Sequence, residues 1–569
     1  MSMQKLLFVF LIFCGHFTFA QNYPTDYFAS PLEVPLHLSG SFGELRNNHF
    51  HSGLDFKTQQ REGLRVLSSA DGYISRIKVS TWGNGKALYI THPNGYTTVY
   101  CHLQKFAPEI EAYVKQHQYN RKSYEVEFFL TASDFKVKQG EFIAYSGNTG
   151  GSGGPHLHFE IRDSKSENII NPMHFGFSKR ITDTKKPHIN SLTVYPIGEN
   201  AVANGSEVAS NVTISQQKDG TYLAEPVLAN GKIGFGVNAY DLFDFNYNKN
   251  GVYKIETFLN GSPDFWVAFD SFAFAETRYL NAFIDYERWM KQKNRVQKLF
   301  VANPYPLSLI SHNKKSGIIE ITSNITHSYK IEITDYHQNK ITIVVPIKHT
   351  STAPKVKKQA KSPLMLRSKI ENLYEKENVT VYVSPNVFYE DFELLFDIKN
   401  GVLTFADNTI PVHKNYAITF NDTSIPKHLR SKTYIASLEG NSKKYNKTEV
   451  SDVFFKTWTR NTGQFTLVQD TIAPVVKLIN FSEGKWLSKE ASLQIEIDDR
   501  GSGIDTYNAY LNDTWILMEY DYKTKRLVHD FSDGKVQEGR NNLKVIVADN
   551  VGNSTTFETH FFRSQKTNE

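Results

Sequence analysis

The sequence predicts a mainly β protein built from several domains. The chain has 569 residues, too many for one core at a prior of about 150 residues per domain. It carries 40 Phe and 30 Tyr, residue types that favour strands over helices. From about Gly40 onward, short apolar runs are separated by turn residues, as in antiparallel sheets. A composition of 40% hydrophobic and 22% charged residues is that of a globular protein.

Met1 to Ala20 has a basic residue at Lys5, an apolar run from Leu6 to Phe13 and a small-residue site before Gln21, so it reads as an export signal. Cys14 follows the bulky Phe13, a poor context for lipid attachment. Cys101 is then the lone cysteine of the mature chain, which must hold together without an internal disulfide. No later stretch offers about 18 uninterrupted apolar residues, so no membrane-spanning segment is expected after signal cleavage. The formal charge of +5 is mild and gives no concentrated basic stripe of the kind a nucleic-acid binder needs.

Within residues 21–182 a hairpin is expected from Ala87 to His102 around Pro93-Asn94-Gly95, because Asn-Gly tolerates the positive φ of a tight turn. One helix is expected to start at Pro108, with Phe106, Ile110, Tyr113 and Val114 at helical spacing, and to end in the polar stretch Gln116 to Lys122. Strands resume at Tyr124 to Leu130 and Phe142 to Tyr145. Residues 183–349 and 469–569 read as related β-sandwich, Ig-like modules. Asp183-Thr184 with Pro187 returns as Asp470-Thr471 with Pro474, and Asp241, Gly251, Leu259 and Asn260 return as Asp499, Gly503, Leu511 and Asn512. Asp335 to Asn339 likewise matches Asp549 to Asn553. Residues 350–363 form a Lys- and Pro-containing linker, and 364–468 a third β-rich module. The acidic turn at Asp498-Asp499 is read as a plain turn in preference to a calcium loop.

The chemistry concentrates in the first domain. His156 and His158 are two apart in a strand and share a face, and His51 and Asp55 add further donors. His51, Asp55 and His158 supply the three nitrogen and oxygen ligands of a catalytic zinc site, whose fourth position stays open. Gly53 is expected to let the backbone bend or approach closely without a side-chain clash, so that His51 and Asp55 both reach the metal. His102, in Tyr100-Cys101-His102-Leu103, and His156 remain as imidazoles for work other than ligation. A lone histidine is ordinarily a turn or core residue, and His49, His92, His117 and His174 are read so, although His49 shares a face with His51 if that segment is extended. Glu160, two residues beyond His158, either orients the site or forms a surface salt bridge. Cys101 is expected to face away from the site that His102 faces, because strand neighbours alternate. The run Gly150 to Pro155 lacks the Lys-Ser/Thr ending of a phosphate loop and is read as letting an extended peptide pass close to the metal. The chain has no H-E-x-x-H helix.

Phe42-Gly43, His51-Ser52-Gly53-Leu54-Asp55, Tyr100-Cys101-His102-Leu103, Val137-Lys138-Gln139-Gly140, Ser146-Gly147-Asn148-Thr149-Gly150 and Gly154-Pro155-His156-Leu157-His158-Phe159-Glu160 occur in one order. Together they resemble the lysostaphin/LytM-type zinc endopeptidases, peptidase family M23, over roughly Gly40 to Pro172. The resemblance implies Zn2+ held by His51, Asp55 and His158, catalytic roles for His102 and His156, and the peptide cross-links of peptidoglycan as substrate. It implies an exported enzyme of the periplasm or cell envelope. The C-terminal modules are then expected to bind wall or protein partners or to act as spacers. About twenty residues separate Gln21 from Phe42, too few for a separate inhibitory domain, so control is expected from those modules or from partners. The competing readings are a non-catalytic envelope scaffold or activator of other wall enzymes, and a peptidase acting on peptides other than wall.

Overall fold

A computed structural model describes residues 23–323, 325–359 and 362–564. The export signal read over Met1–Ala20 and the reading of Cys14 lie outside the described residues. Strands dominate, and none of the described helices is long and apolar enough to cross a membrane.

The first sheet holds the site. Its strands are β1 (Leu38–Gly40), β2 (Leu54–Lys57), β3 (Gly72–Val79), β4 (Lys86–Thr91), β5 (Tyr96–Leu103), β6 (Val126–Phe129) and β7 (His156–Asp163). They lie in the order β1-β2-β7-β5-β4-β3-β6, all antiparallel. A strand from the far end of the domain thus enters between β2 and β5. The sequence of β7 explains why it can. Leu157, Phe159 and Ile161 are fully buried on one face, where Phe159 packs against the rings of Phe56, Tyr100 and Phe177. His156, His158, Glu160 and Arg162 alternate onto the other face.

The predicted hairpin forms as β4 and β5, and Gly95 supplies the left-handed turn residue with φ of +87°. The helix α1 (Pro108–Arg121) runs through the polar stretch expected to end it. Gln118 is buried there and donates to the Tyr124 carbonyl, so a polar residue becomes a packing residue. The stop comes from Lys122, which turns left-handed with φ of 48° and returns its N–H to the Gln118 and Tyr119 carbonyls.

The strand Ile169–Ile170 pairs with Ser271–Phe272, and Phe42 and Phe50 pack on Phe272 and Phe269. The first sheet and residues 188–349 therefore share one continuous core. The second unit also contains the short helices Leu280–Phe283 and Tyr286–Gln292, which a plain β-sandwich lacks; the second starts at Asp285, whose side chain accepts from the Arg288 N–H as an N-cap. Residues 365–469 form two five-stranded sheets around a separate core, and residues 475–563 two four-stranded sheets around another.

Phe159→Ala removes the ring that fixes β7 against the core. It is expected to destabilise this domain by about 3–5 kcal/mol, measured as a lowered urea midpoint for its unfolding transition.

Candidate metal centre

In the antiparallel register His158 on β7 lies directly opposite Asp55 on β2, and cross-strand partners present their side chains on the same face. His51 lies ahead of β2 in a loop held by reciprocal backbone bonds, His51 N–H to the Glu44 carbonyl and Gly43 N–H to the His51 carbonyl. Three atoms converge as a result. His51 Nε2 is 2.9 Å from Asp55 Oδ1 and 3.0 Å from His158 Nδ1, and His158 Nδ1 is 2.9 Å from Asp55 Oδ1. A tetrahedral ion with bonds of about 2.0–2.1 Å would separate its ligand atoms by about 3.3 Å, so the triangle fits such an ion with little adjustment.

The opposite atom of each group is already committed. His51 Nδ1 donates to the Ser41 carbonyl at 2.7 Å, and His158 Nε2 donates to Glu160 Oε1 at 2.9 Å. With the imidazoles neutral, as a metal requires, each bond fixes the tautomer that points a lone pair into the triangle. Arg46 Nη2 donates to Asp55 Oδ2 at 3.0 Å, leaving Oδ1 for the centre. Glu160, which was open between an orienting and a surface role, is 1% exposed. It accepts from Ser52 Oγ at 2.6 Å and from Arg162 Nε at 2.7 Å.

Burial of His51 lowers its pKa. Burial would also lower that of His158, but its hydrogen bonds to Asp55 and Glu160 outweigh this and hold it at about 9. Burial opposes ionisation of Asp55 too, yet the His51 charge and the bonds from three imidazoles keep its carboxyl well below the usual range.

His102 and His156 flank the triangle with ring centroids 4.8 Å apart. His102 Nδ1 donates to the Thr149 carbonyl at 2.9 Å and His156 Nδ1 to the Gly154 carbonyl at 2.8 Å. Both Nε2 atoms are left for other partners, and that of His156 lies 3.4 Å from Asp55 Oδ1. Burial, with the charges of His158 and His156, pushes the pKa of His102 down to about 3.

One expectation changes, and two open readings close. His102 reaches the site by a β-bulge, at φ of 60°, where β5 shifts register against β4. Alternation fails there, and Cys101 lies opposite His158 on the site's own face of the sheet. It is fully buried with Ala87, Tyr89 and Val99, and burial first, then the charge of Glu160, raises its thiol pKa well above the ordinary value. A nucleophilic role is not supported. Of the two roles open to Gly53, close approach is the one seen, since a Cβ there would sit 2.3 Å from the Phe159 carbonyl oxygen. His49 lies in a turn, so its ring goes to the Asn47 carbonyl and not to the cluster.

Residues 49–119 and 124–172 match Peptidase family M23. The segment that carries the site belongs to that family. Residues 364–470 match the Zu5-like domain. The M23 segment is 37% identical over 111 residues to an uncharacterised metalloprotease of Haemophilus influenzae, 20% of this chain and 18% of that one. It is 38% identical over 112 residues to the DD-carboxypeptidase/endopeptidase Mpg of Neisseria meningitidis serogroup B, 20% of each chain. The chain thus spans about a fifth of the length of these relatives. Among solved structures, the catalytic domain of lysostaphin from Staphylococcus simulans is 25% identical with a TM-score of 0.19, covering 24% of this chain and 89% of that one.

The site also depends on residues to which the sequence assigned no role. Ser41, Arg46, Ser52, Thr149 and Arg162 each hold one of the groups described above. A sequence signal existed for one of them: Gly40 faces Asp55 in the β1-β2 register, and a Cβ at Gly40 would meet Arg46 Nη2 at 2.4 Å. The loop of residues 147–155 before β7 is held from outside the M23 segment, where Lys523 Nζ donates to the carbonyls of Asn148 and Ser152. Tyr522 packs at a tilt against Trp82, and Lys86 Nζ pairs with Glu519 at 2.9 Å.

At pH 7 the metal-free site carries a protonated His158 and a neutral His51. A bound metal needs both imidazoles neutral, so Zn2+ binding is expected to release about one proton. Calorimetric titrations in buffers of different ionisation enthalpy measure that number.

Proposed function

We propose that this chain is an exported zinc metalloendopeptidase that hydrolyses the peptide cross-links of peptidoglycan. The observation that carries this reading is the convergence of His51 Nε2, Asp55 Oδ1 and His158 Nδ1, each with its remaining polar atom tied elsewhere. In this reading those three residues hold the ion, and His102 and His156 are catalytic. Two nitrogens and one carboxylate oxygen are a donor set suited to zinc with one position open.

Zinc bound there would polarise the scissile carbonyl and lower the pKa of water to about 7. The chain's own groups do the rest. His102 is neutral at pH 7 and, with His156, takes the proton leaving the attacking water and hydrogen-bonds the developing oxyanion. The carbonyls of Thr149 and Gly154 keep both rings turned so that Nε2 serves this purpose. Gly153 and Gly154 have open space where a Cβ would stand, which leaves room for a substrate backbone beside His156.

The choice of peptidoglycan rests on the relatives' names, among them the peptidoglycan DD-endopeptidase ShyC of Vibrio cholerae, 28% identical over 143 residues. Export rests on the Met1–Ala20 signal. The modules beyond residue 182 are proposed to bind wall or protein partners, and the Lys523 contacts support a part for the last one in shaping the cleft.

Digestion of purified peptidoglycan by the mature protein, followed by chromatography of the fragments, tests the reading. New uncross-linked peptides are expected. His51→Ala and His158→Ala should abolish them together with zinc content, whereas His102→Ala and His156→Ala should keep zinc and lose about 10²–10⁴-fold in rate. Release of sugars alone, or variants as active as the parent, would overturn it.

A further inference from the structure

The repeat seen in the sequence acquires a physical meaning when its landmarks are located. Asp183, Asp241 and Asp335 come together in the second unit and Asp470, Asp499 and Asp549 in the last, each set offering carboxylate oxygens within 4.8 Å of one another. These are the aspartates that correspond between the repeats, and their surroundings correspond bond by bond. Asn339 donates its N–H to Asp335 Oδ1 at 2.9 Å, and its side-chain amide to Asp335 Oδ2 at 2.8 Å and to the Asp183 carbonyl at 3.2 Å. Asn553 does the same to Asp549 Oδ1, Asp549 Oδ2 and the Asp470 carbonyl at 2.8, 2.7 and 2.9 Å. In both sets one oxygen of the first aspartate accepts from the N–H two residues on, Lys185 or Ile472.

What the clusters lack is positive charge. Asp241 and Asp335 are each 1% exposed and the Asp183 side chain 0%. Among the described residues none of the six aspartates pairs with Lys or Arg, and the one ion pair is His337 Nδ1 at 3.9 Å from Asp183 Oδ2. Asp183 Oδ2 and Asp241 Oδ1 are buried without a hydrogen-bond partner. In the last unit the hydroxyl of Ser502, 3% exposed, is likewise unpartnered, while its N–H holds Asp470 Oδ2. Buried carboxylates in contact are costly unless a proton or a cation joins them.

We propose that the two clusters are calcium sites, one in each repeat. The donors are all hard oxygens with neither imidazole nitrogen nor thiolate among the ligating atoms, which favours calcium or magnesium over zinc. Carboxylates packed out of solvent, all three in the second unit and two of three in the last, suit calcium, because magnesium gives up its waters reluctantly and usually keeps several. The placement adds a role. Asp183 and Asp470 lie where the chain passes into each unit, and Asp241, Asp335, Asp499 and Asp549 lie at the ends of its strands, so an ion would bind the joining segment to the unit it enters. The competing occupant is a shared proton, consistent with burial and mutual repulsion raising Asp241 to about 8 and Asp183 to about 6.

The test uses the full chain, freed of divalent ions by chelation and then loaded with Zn2+, so that the peptidase reading and this one fail separately. Calorimetric titration with Ca2+ alone is expected to give two equivalents bound and a raised thermal midpoint. Asp241→Asn and Asp549→Asn should each lose one equivalent and keep the other. Terbium luminescence sensitised by tyrosine in the parent, displaced by Ca2+, gives a second measurement that needs no variant to fold. No Ca2+ response up to about 10 mM, beyond the weakest extracellular calcium modules, would overturn the proposal. So would an equal response to Mg2+, or an Asp241→Asn variant that gains stability while its parent ignores Ca2+.

Discussion

The register between β2 and β7 is the constraint on which the rest depends. It places His158 against Asp55 although 103 residues separate them. Strand side chains alternate with period two, so a slip of one residue would bury the histidines in the core and turn Leu157 and Phe159 into the cleft. The apolar face of β7 therefore does functional work from the side away from the chemistry: Leu157, Phe159 and Ile161, all fully buried, fit the core in one register, and that register aligns the donors.

The polar face of the same strand carries the opposite cost. His158, Glu160 and Arg162 are all within 6% of complete burial, and buried charge is tolerated where each group is paired and hydrogen-bonded. Arg162 meets this by bonding Glu160 and resting on the rings of Tyr89 and Phe274. Glu160 is kept ionised, its pKa held to about 2 against burial by Arg162 and His158. A fixed anion there makes His158 present Nδ1 to the triangle. The chain of influence runs from a cation stacked on aromatic rings to the orientation of one imidazole.

Much of this was legible. Alternation in His156-Leu157-His158, the Asn-Gly hairpin and the proline at the start of α1 are local signals, and local physics decided those elements. The supporting shell was not legible, because Ser41, Arg46 and Thr149 act through backbone or guanidinium contacts made only once distant strands pair. Cys101 shows the limit of periodicity, since one left-handed residue at His102 cancels the alternation that assigned its side. The polar stretch 116–122 shows another: Gln118 is polar in the sequence and buried in the fold because a carbonyl lies within its reach. The helices at residues 280–292 carry a capping aspartate, a weak signal beside the aromatic pattern around them. The aspartate triads lie between these cases, visible as a repeat in the sequence but meaningful only when six scattered positions become two points in space.

The hold of Lys523 on the carbonyls of Asn148 and Ser152 has a consequence in time. Synthesis runs from the N-terminus, so the loop leading into His156 exists long before the residue that clamps it. The cleft takes its final outline only when the module that carries Lys523 has folded against the first domain.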